Sequence, residues 1–547
     1  MKASDLLLKC LETQGAKCIF GVPGEENADV MMSLESSEID FITTRHEQTA
    51  AFMATMHGQL TGSPGICLAT LGPGATNLIT GVAQANMDNA PLIAIIGQAD
   101  SARLHKESHQ NMDSVSMFKS VTKWSTTIRD ASVIPEVVAK AFKIATSGNP
   151  GAVLIELPED IAHHDTDALP LKPADFELEI SASEHHIQQA LGLLEQSEKP
   201  ILLVGHGAVV SEGDKPLNAF AEKSSIYSTH TFMGKGAISH QYPRSLHCVG
   251  MGMKDLVIEA FEQSDLVICV GYDLVEYPPA RWNIGKEKKI IHIGPETAEV
   301  DMKYMPSLEI VGHIPTILQQ LNSSLKDQHC KPSPYFEQIQ QTIKHDLDSD
   351  KCDSHFPMKP KRILQDLRAT LSDTDIVVSD VGAHKMWVAR QYGARLPKTC
   401  FISNGFCSMG GSMPGALEAK RLYPEKNVVA VCGDGGFMMS IQALTTGVNL
   451  QVPFVTLVWE DHNYGLIKWK QEMHFNEYSP HVGLENPDLK SVAESFGCHS
   501  IRLESTEQLI PALKEAFSVT SKPTVIVIPV DYSENMKLFH HLNDTVK

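Results

Sequence analysis

Short apolar runs recur along this chain, separated by polar-faced stretches of helical length. Examples are Ile66-Cys67-Leu68-Ala69, Leu92-Ile93-Ala94-Ile95-Ile96, Val153-Leu154-Ile155, Ile201-Leu202-Leu203-Val204, Leu266-Val267-Ile268-Cys269-Val270, Val428-Val429-Ala430-Val431 and Val455-Thr456-Leu457-Val458. The apolar residues are consecutive rather than alternating, as in a strand covered on both faces. Strands of that kind joined by helices predict an α/β fold of doubly wound parallel sheets. Two polar stretches divide the pattern into three. A first domain spans residues 1–165 and ends on the strand Gly151–Leu157. The stretch from His163 to Glu184, with Pro170 and Pro173, reads as a linker. A middle domain spans 185–325, opens with the strand Pro200–Gly205, and is followed by a second polar stretch, Lys326–Pro357, read as a linker with helical content. The third domain spans 355–547.

The first and third domains read as distant copies of one unit. In the first, a strand leads into Gly72-Pro73-Gly74, a helix, and the next strand at Pro91. In the third, a strand leads into Gly433-Asp434-Gly435, a helix, and the next strand at Pro453. Chance likeness between two βαβ units is the competing explanation.

The second copy carries the candidate chemistry. Val431-Cys432-Gly433-Asp434-Gly435-Gly436 ends one predicted strand and Val458-Trp459-Glu460-Asp461-His462-Asn463 ends the next, with the two aspartates 27 positions apart. Two hard oxygen ligands thus fall at the carboxyl ends of neighbouring parallel strands, where open α/β sheets bind ligands. The glycines let a phosphate approach backbone N–H groups, and magnesium favours a couple of carboxylates plus substrate phosphate oxygens. Alone, Asp434 could be an ordinary helix cap. With Asp461, the pattern asks for a diphosphate held through a divalent metal.

At this spacing the chain resembles the thiamine-diphosphate enzymes. The resemblance implies a first domain that binds the cofactor's pyrimidine, a middle domain, and a third that binds its diphosphate. It implies Mg2+ on Asp434, Asp461 and the Asn463 carbonyl. It further implies cofactor contacts at Gly433, Gly435, Gly436 and Tyr464, and at Gly382, Ala383 and His384 in Asp380-Val381-Gly382-Ala383-His384-Lys385-Met386-Trp387. Gly405 and Met409, in Gly405-Phe406-Cys407-Ser408-Met409-Gly410, match the segment whose bulky apolar residue bends the cofactor. In the first domain the matches are Pro23, Asn77 and Glu47, the last in Arg45-His46-Glu47-Gln48. Glu47 is implied as the catalytic acid that activates the pyrimidine; a glutamate opening a helix otherwise only offsets the macrodipole. The family places its cofactor across a dimer interface, so a homodimer or homotetramer is expected.

Within the family the chain is similar to the catabolic, FAD-independent acetolactate synthases. His109-Gln110-Asn111-Met112-Asp113, followed by Phe118 and Lys123, and Gly271-Tyr272-Asp273-Leu274-Val275-Glu276-Tyr277 carry that likeness. Gly205-His206-Gly207 is too short for a dinucleotide fingerprint, so FAD is not expected. The implied reaction decarboxylates pyruvate and joins the carbanion to a second pyruvate, giving 2-acetolactate and carbon dioxide. Gln110, Phe118, Lys123, Trp469 and Gln471 are candidate substrate contacts, against plain surface or core roles. Lys385 and Lys470 stand where relatives carry glutamine. Another thiamine-dependent decarboxylase or lyase, a pyruvate oxidase, and a cofactor-binding regulatory protein are the alternatives. Donor and acceptor, Mg2+ against Mn2+, and dimer against tetramer stay open.

Composition narrows the setting. The net charge of −20 argues against a nucleic-acid partner. Eleven cysteines, an odd number without CxxC pairs, read as free thiols of a reducing compartment. The start, Met1-Lys2-Ala3-Ser4-Asp5, does not read as a signal peptide, and no apolar run approaches the ~18 residues of a membrane span. A cytoplasmic enzyme without a membrane partner is expected.

Overall fold

Each apolar run named above forms a strand. The computed structural model describes residues 1–173, 179–250, 255–285, 288–327, 330–349 and 353–535. It contains three six-stranded sheets. The first comprises β1 (Cys18–Gly21), β2 (Asp40–Thr43), β3 (Gly65–Ala69), β4 (Leu92–Gln98), β5 (Trp124–Thr127) and β6 (Ala152–Pro158). The middle sheet comprises β7 (Pro200–Val204), β8 (Tyr227–His230), β9 (Ser245–Cys248), β10 (Leu266–Val270), β11 (Lys289–Gly294) and β12 (Leu308–Val311). The last comprises β13 (Ile376–Ser379), β14 (Cys400–Ile402), β15 (Val428–Gly433), β16 (Val455–Glu460), β17 (His499–Arg502) and β18 (Thr524–Pro529). All strand pairs within these sheets are parallel.

Strand order bears out the repeat. The first sheet runs β2-β1-β3-β4-β6-β5 and the last β14-β13-β15-β16-β18-β17, the same order counted within each domain. The middle sheet runs β12-β11-β10-β7-β8-β9, the order of dinucleotide-binding folds.

The first and third domains share one apolar core. Phe52 is not in it, but Met53 and Met56 of the helix Glu47–Thr61 lie in the same cluster as Val378, Met413 and Leu417 of the third domain. That helix begins on a His46 cap, whose Nδ1 accepts from Gln48 N at 3.1 Å, and ends at Gly62 in the left-handed region, φ 73°. It packs closely on the helix Pro73–Met87, because a Cβ at Gly81 would lie 2.4 Å from Cβ of Ala51. Each fully buried Leu, Ile or Phe in such a core contributes roughly 1.5–3 kcal/mol.

One expected linker is part of a core instead. The helix Pro334–Asp348 falls inside Lys326–Pro357 and buries Phe336, Ile339 and Ile343 against Tyr227 and Phe261 of the middle domain. These residues recur at i, i+3 and i+7, so one helix face is apolar although the stretch as a whole is polar. The other expected linker, His163–Glu184, lies partly outside the described residues.

Candidate active site

The third sheet changes direction between β13 and β15, and its loops at that switch point form a cleft. β15 and β16 pair in register with Gly433 opposite Trp459, which sets Asp434 and Asp461 just beyond two adjacent strand ends. Asp434 is fully buried and opens the short helix Asp434–Met439. Its Oδ1 accepts from Gly435 N at 2.9 Å, and its Oδ2 from His462 N at 2.8 Å and Asn486 Nδ2 at 2.7 Å. His462 holds φ 57°, a left-handed conformation that costs a histidine some strain. That turn aims its N–H at Asp434 while Asp461 and Asn463 flank it. The Asp461 carbonyl in turn accepts from Asn463 Nδ2 at 2.5 Å.

Burial raises both carboxyls. Asp461 is pushed up to about 7 by desolvation first and then by the Asp434 charge beside it. Asp434 rises through burial, partly offset by the Asn486 amide. Two desolvated carboxylates facing each other fit a divalent cation, which relieves both effects at once.

The cleft has a volume of about 100 Å3. It gathers Gly382, Ala383, His384, Met409, Gly433, Asp434, Gly435, Gly436, Asp461, Asn463 and Tyr464, all anticipated from sequence. His384 gives the clearest test of which group the cleft fits. It is buried, its Nε2 has no hydrogen-bond partner among the described residues, and burial lowers its pKa to about 3. A neutral, orphaned imidazole at a glycine-lined cleft fits a phosphate oxygen or a bridging proton on it. The glycines are needed for close approach: a Cβ at Gly382 would lie 2.6 Å from the His384 ring, and one at Gly435 would lie 3.0 Å from Tyr464. These residues fit thiamine diphosphate with a divalent metal.

Other anticipated residues lie elsewhere in the subunit. Glu47 opens its helix in the first domain, where its Oε2 accepts from Asn77 Nδ2 at 2.9 Å. Pro23 is exposed in the loop after β1. Gln110, exposed and at φ 55°, packs against Gly72. Among the described residues, none from the first domain lines the third-domain cleft. Gly405 sits outside it, against Met87 and Asp88.

Three expected substrate contacts serve the scaffold in this subunit. Phe118 is fully buried in the shared core, because its short helix Ser114–Phe118 turns it inward. Lys123 donates to the Ser147 and Asn149 carbonyls, both at 2.6 Å, where the preceding helix leaves carbonyls open. Gln471 Oε1 accepts from Ser479 N at 2.9 Å and so ties down the chain after its helix. Trp469 is 2 % exposed; it belongs to the third-domain core and also lines a cavity of about 420 Å3 that reaches Asp461 and Asn463. Lys470, one position on, is exposed.

Sequence reasoning missed Asn486, which holds Asp434, and Tyr532, which lines the cleft from beyond the last strand. Neither has a sequence signal: each arrives through the fold from a region without a glycine motif. Leu466 and Ile467, also lining, follow Tyr464 on the helix Gly465–Phe475 and were within reach of the motif.

Comparison with known proteins agrees with this geometry. Three family models match in order: the thiamine pyrophosphate enzyme N-terminal TPP binding domain over residues 1–117, the central domain over 187–321, and the C-terminal TPP binding domain over 380–528. The chain is 33% identical to an acetolactate synthase of Bacillus subtilis (strain 168), covering 98% of this chain and 94% of that protein. It is also 33% identical to a catabolic acetolactate synthase of Raoultella terrigena, over 99% and 97% of the two chains. A third relative is the acetolactate synthase isozyme 2 large subunit of Escherichia coli (strain K12), 29% identical over 98% and 97%.

Proposed function

Given that this chain belongs to the thiamine pyrophosphate enzyme family, we propose that it is an acetolactate synthase, joining two molecules of pyruvate into 2-acetolactate with loss of carbon dioxide. The observation that carries this reading is the pair Asp434–Asp461 with the orphaned His384 in one glycine-lined cleft, in a chain alike over its full length to acetolactate synthases.

Bound thiamine diphosphate supplies a carbon centre that takes up the electrons of a departing carboxylate and delivers them to a second carbonyl. The protein's part is binding, orientation and proton handling. Asp434, Asp461 and the Asn463 carbonyl would hold Mg2+, and the Gly436 N–H with His384 would hold the diphosphate. Met409 props the cofactor into its bent form. Glu47, oriented by Asn77, would exchange a proton with the pyrimidine ring. Apolar surface from Met409, Leu466 and Ile467 keeps water from the cleft and so delays premature protonation.

The cleft takes its described lining from the third domain alone, whereas Glu47 lies on the first. A second copy that brings its Glu47 to this cleft completes the site, which supports a homodimer or a dimer of dimers. Mg2+ is preferred over softer metals because every proposed ligand is an oxygen.

The middle domain supports the FAD-independent branch. Its order is that of a dinucleotide fold, and a cavity of about 400 Å3 sits at its switch point. Asp273, Glu296 and Glu299 line that cavity, with no Lys or Arg among its described lining residues. A dinucleotide diphosphate would have to be held there by backbone N–H groups, without a Lys or Arg partner. Among the described residues no helix is long and apolar enough to cross a membrane, and the ten described cysteines are free.

Incubation with pyruvate, thiamine diphosphate and Mg2+ tests the reading. Acetolactate is the expected product from a colourless protein. Acetaldehyde alone would replace the synthase by a decarboxylase, and a bound yellow flavin would replace it by an oxidase.

A further inference from the structure

The segment Gly405–Gly410, which carries Met409, is slung between two buried carboxylates from different domains. At one end, Gly405 N donates to Asp88 Oδ1 at 3.0 Å. Asp88 follows the helix Pro73–Met87 of the first domain and is 0 % exposed. At the other end, Gly410 N donates to both oxygens of Asp380, at 2.9 and 3.0 Å. Asp380 directly follows β13, is 2 % exposed, and also accepts from Val381 N at 2.7 Å and Ser412 Oγ at 2.9 Å.

Asp380 therefore lies against three of the segments that line the cleft. Val381 begins the loop that contains Gly382 and His384. Gly410 follows Met409, and a Cβ at Gly436 would lie 3.3 Å from the Asp380 carboxyl carbon. The two ends of the sling are shaped for these contacts. A Cβ at Gly405 would lie 2.4 Å from the Met87 carbonyl oxygen and 2.7 Å from Asp88 Oδ1, and Gly410 holds φ +88°. A carboxylate is suited to the post because it is acceptor-only, with room for several N–H and O–H donors at once. An asparagine would turn an NH2 group toward some of those donors and leave them unpaired.

We propose that Asp380 and Asp88 are positioning residues for the reaction. By fixing both ends of Gly405–Gly410 they set how far Met409 projects into the cleft, and hence how the bound cofactor is bent. This rests on the reading of the cleft as a thiamine-diphosphate site. It adds that the wedge is held from two domains, so the first domain contributes to this cleft through its own subunit's Asp88 without lining it.

The full-length protein with Asp380→Asn tests it through cofactor binding, without substrate. Titration calorimetry of thiamine diphosphate with Mg2+, and the near-ultraviolet circular dichroism band of the bound cofactor, are the readouts. Asp380→Asn is expected to weaken binding about tenfold or more, alter that band, and lower kcat by about 100-fold, the scale of a small misplacement. Ser412→Ala removes one donor, and Asp88→Ala removes the acceptor for Gly405 N and so frees the far end. Each is expected to shift the band in the same direction by less. In a Met409→Ala background, Asp380→Asn is expected to add little, because the wedge it positions is gone. A wild-type band and affinity in Asp380→Asn would overturn the proposal, as would losses additive with Met409→Ala. Should Asp380→Asn not fold, unchanged bands in both Ser412→Ala and Asp88→Ala would overturn it equally. Failure of the functional reading looks different: the wild-type protein would then make no acetolactate, or bind no thiamine diphosphate.

Discussion

The first and third sheets share one strand order, yet the proposed metal clamp falls in the third. The contrast comes down to single positions. The turn after β3 reads Gly72-Pro73-Gly74 and the turn after β15 reads Gly433-Asp434-Gly435; Pro73 and Asp434 each begin a helix. Proline there supplies a preset φ and no ligand, whereas aspartate supplies an oxygen beside a backbone open to phosphate. After the second strand of each unit the roles differ again. The loop after β2 leads to Glu47, while the chain after β14 leads to Met409. One scaffold thus serves two chemistries, and the difference lies in which loop at the carboxyl edge bears the functional side chain.

Breaking the division of labour at Glu47 should have the largest effect. Glu47→Gln is expected to lower kcat by about 10²–10⁴-fold while calorimetry shows nearly unchanged binding of thiamine diphosphate; a parallel loss of binding would make Glu47 a scaffold residue. Phe118 gives the opposite case in the same domain. Phe118→Ala should cost about 3–5 kcal/mol in urea unfolding, yet leave KM for pyruvate unchanged in the fraction that folds. A raised KM without lost stability would return Phe118 to the substrate.

The clamp itself comes next. Asp434→Asn should weaken Mg2+-dependent cofactor binding by about 100-fold, whereas Pro73→Asp at the matching turn of the first domain should create no metal affinity. Measured Mg2+ binding by Pro73→Asp would mean that the turn alone, and not the paired Asp461, makes the site.

The smallest effect is graded with pH. Asp461 sits up at about 7 in the metal-free protein, so protons compete with the cation, and Mg2+ affinity should fall about tenfold per unit below that value. The sign for stability follows. A carboxyl raised above its unfolded value favours the metal-free fold at low pH and loses that contribution as pH rises through about 7. Magnesium offsets the loss, so it should raise Tm more on the alkaline side of 7 than on the acid side. Equal Tm gains on both sides would show that Asp461 is not a ligand.

Much of this architecture was legible because parallel strands buried on both faces leave consecutive apolar residues, as in β4, β7, β10 and β15. Asp434, Asp461, Gly435 and His384 were legible because they lie on short turns directly after strands, where local spacing fixes spatial order. The helix Pro334–Asp348 was obscured by its polar composition, although its three buried residues keep helical spacing. The core and scaffold contacts of Phe118 and Lys123 were not legible, because local sequence does not say which way a side chain turns. Asn486 and Asp88 act on segments 52 and 317 positions away in the chain, and no local pattern reports such contacts.

By itself, then, the amino-acid sequence determined the α/β class, the doubled unit and the candidates for holding a metal and a diphosphate, since each depends on periodicity or on spacing within one turn. Tertiary structure decided what depends on distant chain segments meeting. It merged the first and third domains into one core, set Glu47 apart from the cleft of its own subunit, and hung the Met409 segment between Asp88 and Asp380. Those outcomes follow from packing and desolvation, which act on whichever groups the fold brings together, whatever their separation along the chain.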